Sequence, residues 1–370
     1  MNQGPESAMS RLKTLKKLDR RMLLRSALAA ATTAGLAPVV GEAAPTLQQE
    51  SSVAVGVFLP NAVYDTSILD AFSEKIGRKP AYLVWYEQWA NGPFGQEQQD
   101  ILAQYEQWGI TPVMAWEPYD AKADPIEQPD YRLANIIAGN FDAYIDSWAQ
   151  GLAAYGKTVF LSFAHEMNGN WYPWGVGVNG NQPGEFVAAW KHVVDRFYVL
   201  GAMNVRWIWV PNEEYEDVPA LARDVYPGDV YVDWFGMNGF NWGAAIKWTS
   251  CDCQSAWRTF DEIFEKTYEN LLAIANKPIL ILETASSEVG GDKAAWISDA
   301  FLARLPEKYP AVRAVTWFNE VTTGLETVED GEVVPTAEVD WPVTSSSAAL
   351  AAYREAVNEP YYQSRLDGAL

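Results

Sequence analysis

Thr158 to Gly175 reads TVFLSFAHEMNGNWYPWG. Seven residues of almost unbroken apolar character, 158–164, run into His165, Glu166, two asparagines and three large aromatics. An apolar run without alternation is what a parallel strand buried on both faces needs. Seven more runs share that character: VAVGVF at 53–58, AYLVWY at 81–86, TPVMAW at 111–116, VRWIWV at 205–210, YVDWFGM at 231–237, KPILIL at 277–282 and AVRAVTWF at 311–318.

Segments with helical period lie between these runs, at 67–77, 97–109, 140–156, 185–201, 260–275, 292–305 and 346–357. Several end at Gly, a common helix stop. Only the fifth crossover, PALARDVY at 219–226, is weakly helical. Eight strands alternating with seven or eight helices over about 315 residues predict an α/β fold, a single-domain (β/α)8 TIM barrel. The competing doubly wound open sheet usually carries a Gly-rich phosphate turn, and the sequence has none.

A barrel predicts functional side chains at the C-terminal ends of its strands. The second run leads to Glu87, Gln88 and Trp89, and the third ends in Trp116-Glu117. The fourth ends in His165-Glu166 and then Asn168, and the fifth in Asn212-Glu213. The sixth leads to Asn238, Phe240, Asn241 and Trp242, the seventh to Glu283, and the eighth to Trp317, Asn319 and Glu320. Carboxylates, amides and aromatics at seven strand ends describe a polar bowl lined with aromatics. The 17 Trp of the chain fit either a core or a set of stacking platforms.

Residues 1–44 read as an export segment rather than part of the fold. Arg20-Arg21 precede an apolar small-residue stretch, Ser26 to Val40, and then Glu42-Ala43-Ala44-Pro45. The pattern predicts a twin-arginine-type signal, removed from the mature protein, with secretion as the destination. The alternative, a membrane anchor, needs roughly twenty apolar residues, more than this stretch has. Residues 45–370 are then the catalytic domain. The first 44 residues hold seven Lys and Arg against three Asp and Glu. The chain carries −21, so the remainder carries −25. Such a surface repels phosphate backbones and anionic membranes, which excludes nucleic acid and leaves a neutral polymer as partner. The expected state is a monomer. Cys251 and Cys253, in the sequence CDC, read as two thiols or a strained local bridge.

The chemistry follows by elimination. The sequence shows no Ser/His elbow, no Cys nucleophile and no metal cluster, so neither a metal nor a cofactor is expected. Of the two histidines, His192 lies in the helical run VAAWKHVVD and reads as structural. Carboxylates remain. Glycosidic bonds are cleaved by two of them, one as acid/base and one as nucleophile in retaining enzymes. Glu166 and Glu283, at the ends of the fourth and seventh runs, would face each other across the mouth. Aromatics suit the apolar C–H faces of sugar rings.

HEMNGNWYPWG at 165–175 resembles the strand-4 signature of glycoside hydrolase family 26. AWEPYD at 115–120, PGDVYVDWFGMNGFNWG at 227–243, KPILILET at 277–284, TWFNE at 316–320 and DWPVTSSSAALAAYREA at 340–356 resemble the rest of its pattern in order. That family contains retaining β-mannanases, with some mixed-linkage β-glucanases and β-1,3-xylanases, on the same barrel. The resemblance implies that Glu166 is the acid/base and Glu283 the nucleophile. His165 then shapes the subsite around the cleaved sugar. Trp171, Trp174 and Trp317 match sugar-stacking positions. Trp116 and Glu117 form either a wall of the barrel or a glycone subsite. Asn168, Phe240, Asn241 and Trp242 complete the expected lining. The expected substrate is β-mannan first and mixed-linkage β-glucan next.

Two positions depart from the pattern. Many members carry Arg three residues before the histidine, where this chain has Ser162. Many carry Tyr, bonded to the nucleophile, where this chain has Phe240. Without those donors Glu283 would be more basic or less well oriented. A carbohydrate-binding protein on a decayed barrel is therefore the alternative. Retention of both carboxylates favours catalysis. A sugar-phosphate aldolase or isomerase would want a Lys or metal ligands at the strand ends, and neither is there.

Overall fold

The structure, a computed structural model, describes residues 52–366 apart from 215–217, 249–252, 323–325, 330–331 and 336–337. The expected export segment and Cys251 lie outside the described residues. Eight parallel strands follow one another round a closed sheet: β1 (Val53–Phe58), β2 (Tyr82–Gln88), β3 (Thr111–Glu117), β4 (Val159–Phe163), β5 (Val205–Trp209), β6 (Trp234–Asn241), β7 (Ile279–Ser286) and β8 (Val312–Phe318). Pairing of β8 with β1, from Ala54↔Ala314 to Phe58↔Phe318, closes the barrel. A two-residue strand, Tyr362–Gln363, adds to the start of β1.

The outer layer is α1 (Thr66–Ile76), α2 (Gln96–Trp108), α3 (Asp142–Tyr155), α4 (Glu185–Val199), α5 (Phe260–Ile274), α6 (Lys293–Ser298) and α7 (Ser347–Val357). Asp65 caps α1 at its start, and Thr259 and Glu262 form a reciprocal capping box on α5. α1 stops at Gly77, whose φ of 79° is open to glycine without strain. α6 continues through a π-helical stretch, Asp299–Arg304, into a last turn containing Pro306, whose ring nitrogen cannot donate within the helix. Among the described residues the crossover after β5 holds two 3-10 turns, Ala222–Val225 and Asp229–Tyr231, as its weak periodicity predicts.

Side chains alternate between two cores. Ala54, Tyr82, Val84, Val113, Phe160, Ile208, Trp234, Leu280, Leu282 and Ala314 meet inside the barrel, with Leu366 of the C-terminal segment. Gly56 makes room there, because a Cβ on it would lie 2.1 Å from the Tyr82 ring. Trp85, Trp116, Phe163, Trp207, Trp209 and Trp317 belong to the other core, against the helices. β7 breaks the alternation. Met237 pairs with Ile281 and the next residue, Asn238, with Glu283. On the other side Val315 pairs with Ile281, and Trp317 with Thr284. β7 thus holds one extra residue relative to both neighbours, a bulge at Leu282–Glu283. A bulge re-aims the side chains beyond it. Leu282 stays in the interior core, and Glu283 follows it inward to the mouth.

Candidate active site

The chain turns sharply on leaving β4. Ala164 and Glu166 both adopt positive φ, 49° and 55°, a region that non-glycine residues rarely enter. The Glu166 amide donates to the Val210 carbonyl at 2.7 Å, and the Ala164 amide to the Trp116 carbonyl at 3.0 Å. The strain is held by these neighbouring strand ends, and it lifts the Glu166 side chain into the mouth. There Oε2 accepts from the Trp171 indole N–H at 2.8 Å. Oε1 accepts from Asn212 Nδ2 at 2.7 Å and from Asn238 Nδ2 at 2.8 Å.

Glu283 reaches the same point from β7. Its Oε1 accepts from the Tyr86 hydroxyl, and its Oε2 from Asn238 Nδ2 at 2.9 Å. One amide nitrogen therefore touches both carboxylates. Laid end to end, the two bonds limit the separation of those oxygens to about 5.7 Å, within reach of a displacement across one anomeric carbon. Burial, and then the neighbouring Glu166 carboxylate, push the Glu283 carboxyl up to about 8, against the Tyr86 hydroxyl, which lowers it.

More carboxyls line the near side. Burial lifts Glu117 well above the usual carboxylate range, aided by Glu283, Glu166 and Glu87. Glu87, bonded by Asn91 at 3.1 Å, is pushed up to about 7 by burial. His165 is fully buried, with Nε2 3.3 Å from the Tyr172 hydroxyl and 4.0 Å from Glu117. Burial depresses its pKa, so the imidazole is neutral. Among the described residues no three His, Cys, Asp or Glu are placed to hold a metal ion.

Comparison with known proteins agrees with this arrangement. The sequence profile of glycosyl hydrolase family 26 matches residues 73–259, half of the chain. The chain belongs to glycosyl hydrolase family 26. Endoglucanase H of Acetivibrio thermocellus is 36% identical over 295 residues, 79% of this chain. The chain spans 29% of that relative's length. A mannan endo-1,4-β-mannosidase of Bacillus subtilis is 24% identical over 198 residues, 51% of this chain and 48% of its own. The catalytic domain of the family 26 endo-β-1,4-mannanase from Bacillus sp. JAMB-750 shares the fold, with a TM-score of 0.60 and 16% identity over 84% of this chain and 87% of that one.

Within this family 26 barrel the expected site residues divide. Glu166, Glu283, His165, Glu117 and Trp171 meet at the mouth. Asn168 does its work one step back. Its side chain accepts from the Asn212 amide at 2.8 Å and donates to the Asn212 carbonyl at 3.0 Å, so it clamps the residue that bonds Glu166. Asn241 is fully buried, bonding Ser286 and accepting from the Gly243 and Arg258 amides. It braces the loop after β6 rather than lining the bowl.

Trp174 and Trp317, expected as stacking platforms, and Trp116, expected as barrel wall or glycone subsite, are each 0% exposed. Strand phase explains two of them. Glu117 points inward, so Trp116 points outward, onto Trp148 and Phe197, with its indole N–H on the Tyr144 hydroxyl at 3.3 Å. Thr316 and Phe318 face in, against Tyr82 and Phe58, so Trp317 packs outward on Phe301 and Tyr353. Trp174 lies under the site, stacked on Tyr172 at 4.3 Å, with its N–H on the His165 carbonyl at 2.6 Å. The aromatic wall is made by other residues. Tyr86, Phe58, Phe318, Phe240, Trp341 and Trp242 follow one another in edge and tilted contacts 4.7–5.6 Å apart.

The departure at Phe240 has its counterpart across the barrel. Tyr86 on β2 gives Glu283 the hydroxyl that Phe240 lacks. Tyr86 was legible only through its phase, two residues beyond the inward Val84. Ser162 faces the interior, and its hydroxyl has no hydrogen-bond partner among the described residues.

Proposed function

We propose that this glycoside hydrolase is a retaining enzyme, with Glu166 as acid/base and Glu283 as nucleophile. The observation that carries the reading is the single amide nitrogen bonded to both carboxylates. In retaining enzymes the carboxyl groups sit about 5–5.5 Å apart, and in inverting enzymes about 6.5–9.5 Å, to admit a water. The upper limit on the oxygens here, about 5.7 Å, supports the shorter class. Glu283 attacks the anomeric carbon while Glu166 protonates the leaving oxygen. Glu166, then ionised, activates the water that releases the sugar. The Tyr86 hydroxyl steadies the attacking carboxylate, which removes the reason the Phe240 departure gave for a non-catalytic barrel.

The substrate we propose is a β-linked glucan, with β-mannan second. The endoglucanase relative aligns over 79% of the chain at 36% identity, against 51% at 24% for the mannosidase. Incubation with mixed-linkage β-glucan, β-mannan, β-1,3-xylan and cellulose, with NMR of the first products, tests both parts. The reading expects fastest release from a β-glucan and a β-anomer as first product. Exclusive action on mannan would reverse the substrate order, and an α-anomer would remove the retaining mechanism. Export by the twin-arginine route is proposed with it. Retention of an Arg20→Lys/Arg21→Lys variant in the cytoplasm supports that route, and undiminished export of the variant refutes it.

A further inference from the structure

We propose that Asn238 is a catalytic residue, whose side-chain amide lets the two carboxylates share one proton. The inference rests on the assignment of Glu166 and Glu283 above and adds a third group to it. Asn238 is 1% exposed and sits at the inward face of β6, opposite Glu283 in the strand register. Its Nδ2 has two hydrogens, and it has two acceptors: Glu166 Oε1 at 2.8 Å and Glu283 Oε2 at 2.9 Å. The amide orientation follows from the charge on the pair, because an amide oxygen at that point would face at least one carboxylate oxygen with no hydrogen to give. The amide oxygen has no partner among the described residues. The side chain is therefore held by the two carboxylates themselves.

The arrangement answers a problem of the mechanism. The working state needs Glu283 ionised and Glu166 protonated, yet burial and the neighbouring Glu166 carboxylate raise the Glu283 carboxyl and so favour its protonated form. The proton has to change residence when a leaving oxygen arrives at Glu166. A donor that serves only one carboxylate would fix the charge on that one. Asn238 offers one hydrogen to each, so the single negative charge of the pair meets a donor on either side. The donor stays in place whichever carboxylate carries the charge, which lowers the cost of the exchange. No bond to carbon and no external acid enters this step. One proton leaves Glu283 and one arrives on Glu166.

The signature is in the pH profile. Amide donors favour the ionised form of each acceptor. Removing Asn238 Nδ2 takes a donor from both carboxylates at once, so both macroscopic steps of the pair move up. For Asn238→Ala the acidic and alkaline limbs of kcat/KM are expected to rise together, by about one pH unit. A residue that merely packs would lower the rate and leave the limbs in place. Asn238→Asp is the second variant, of the same shape, and covers failure of the alanine variant to fold. It has a hydrogen to give only when protonated, so its activity is expected to survive only on the acid side of the wild-type optimum. Limbs that stay in place in Asn238→Ala, or one limb moving alone, would overturn the proposal, as would a wild-type profile in Asn238→Asp. Glu283→Ala measured beside them separates the two failures. Activity left in that variant sinks the assignment of the pair, whereas an inactive Glu283→Ala with unmoved limbs in Asn238→Ala sinks the shared-proton role alone.

Discussion

Tyr86 takes the part that the expected pattern gives to a tyrosine at position 240. The hydroxyl that holds the proposed nucleophile comes from β2, while Phe240 joins an aromatic wall with Phe318 and Trp341. Burial and Glu283 itself raise the Tyr86 phenol well above its usual range, so it remains a donor throughout the working pH range. Tyr86→Phe removes a contact that lowers the Glu283 value. Its acidic limb of kcat/KM should rise by about one pH unit, with a lower maximal rate. Phe240→Tyr should change neither limb, because the donor position on Glu283 is taken. A pH–rate series on both variants checks the pair. At this scale the sequence made chemistry legible but not direction. HEMNG and ILET singled out two glutamates that the structure brings together at the mouth. The stretches AWEP and TWFN offered two tryptophans whose strand phase turns them to the helices. Phase is a property of the closed sheet, and a single apolar run does not display it.

The elements of this barrel are legible in its sequence, and their interruptions are not. Eight runs buried on both faces announce themselves, because such strands can hold little else, and all eight strands fall on them. The extra residue of β7 leaves no mark in ILILETAS, since it consists of a shift against both neighbours. A second unread device is Lys293, at the start of α6. It is 1% exposed, and its ammonium donates to the carbonyls of Asp340, Trp341 and Pro342 and to the Ser345 hydroxyl, at 2.7–3.1 Å. It thus fixes the segment that carries Trp341 against Phe240 and Trp242. Lys293→Met keeps the stem and strands these acceptors. It should cost about 2–3 kcal/mol, since bonds to a buried charged group are among the stronger ones. At about 2–4 °C per kcal/mol the loss reads as roughly 4–12 °C in Tm. A calorimetric scan that found no change would mean that water replaces the ammonium freely.

The whole molecule concentrates buried acids in one place and charge everywhere else. Glu87 at about 7 and Glu283 at about 8 are both raised, Glu87 by burial and Glu283 by burial and the neighbouring Glu166. An unfolded chain releases the same protons near pH 4.3. Between those values the folded state binds more protons than the unfolded one, so stability falls as pH rises. Lys293, held down at about 8 by burial, acts in the opposite sense, but only above that pH. The Tm should therefore decline from pH 5 to pH 8, and Glu87→Gln, which has no proton to lose, should flatten the decline. A Tm that climbs steadily over that interval would contradict the buried-acid account. The net charge of −21 on the chain bears on partners rather than on this slope, and a neutral polysaccharide is the polymer it does not repel.

The account turns on two glutamates acting in sequence through one covalent sugar, and azide rescue tests that most directly. Glu166→Ala is given a dinitrophenyl β-glycoside, whose leaving group hardly needs a proton. The first step should run at a near-normal rate and then stall, because the same residue must activate water in the second. Azide, a nucleophile that needs no base, should release the sugar from Glu166→Ala as a β-glycosyl azide, while Glu283→Ala without azide stays inactive. An α-azide, or no rescue of Glu166→Ala beside full activity in Glu283→Ala, would contradict the account.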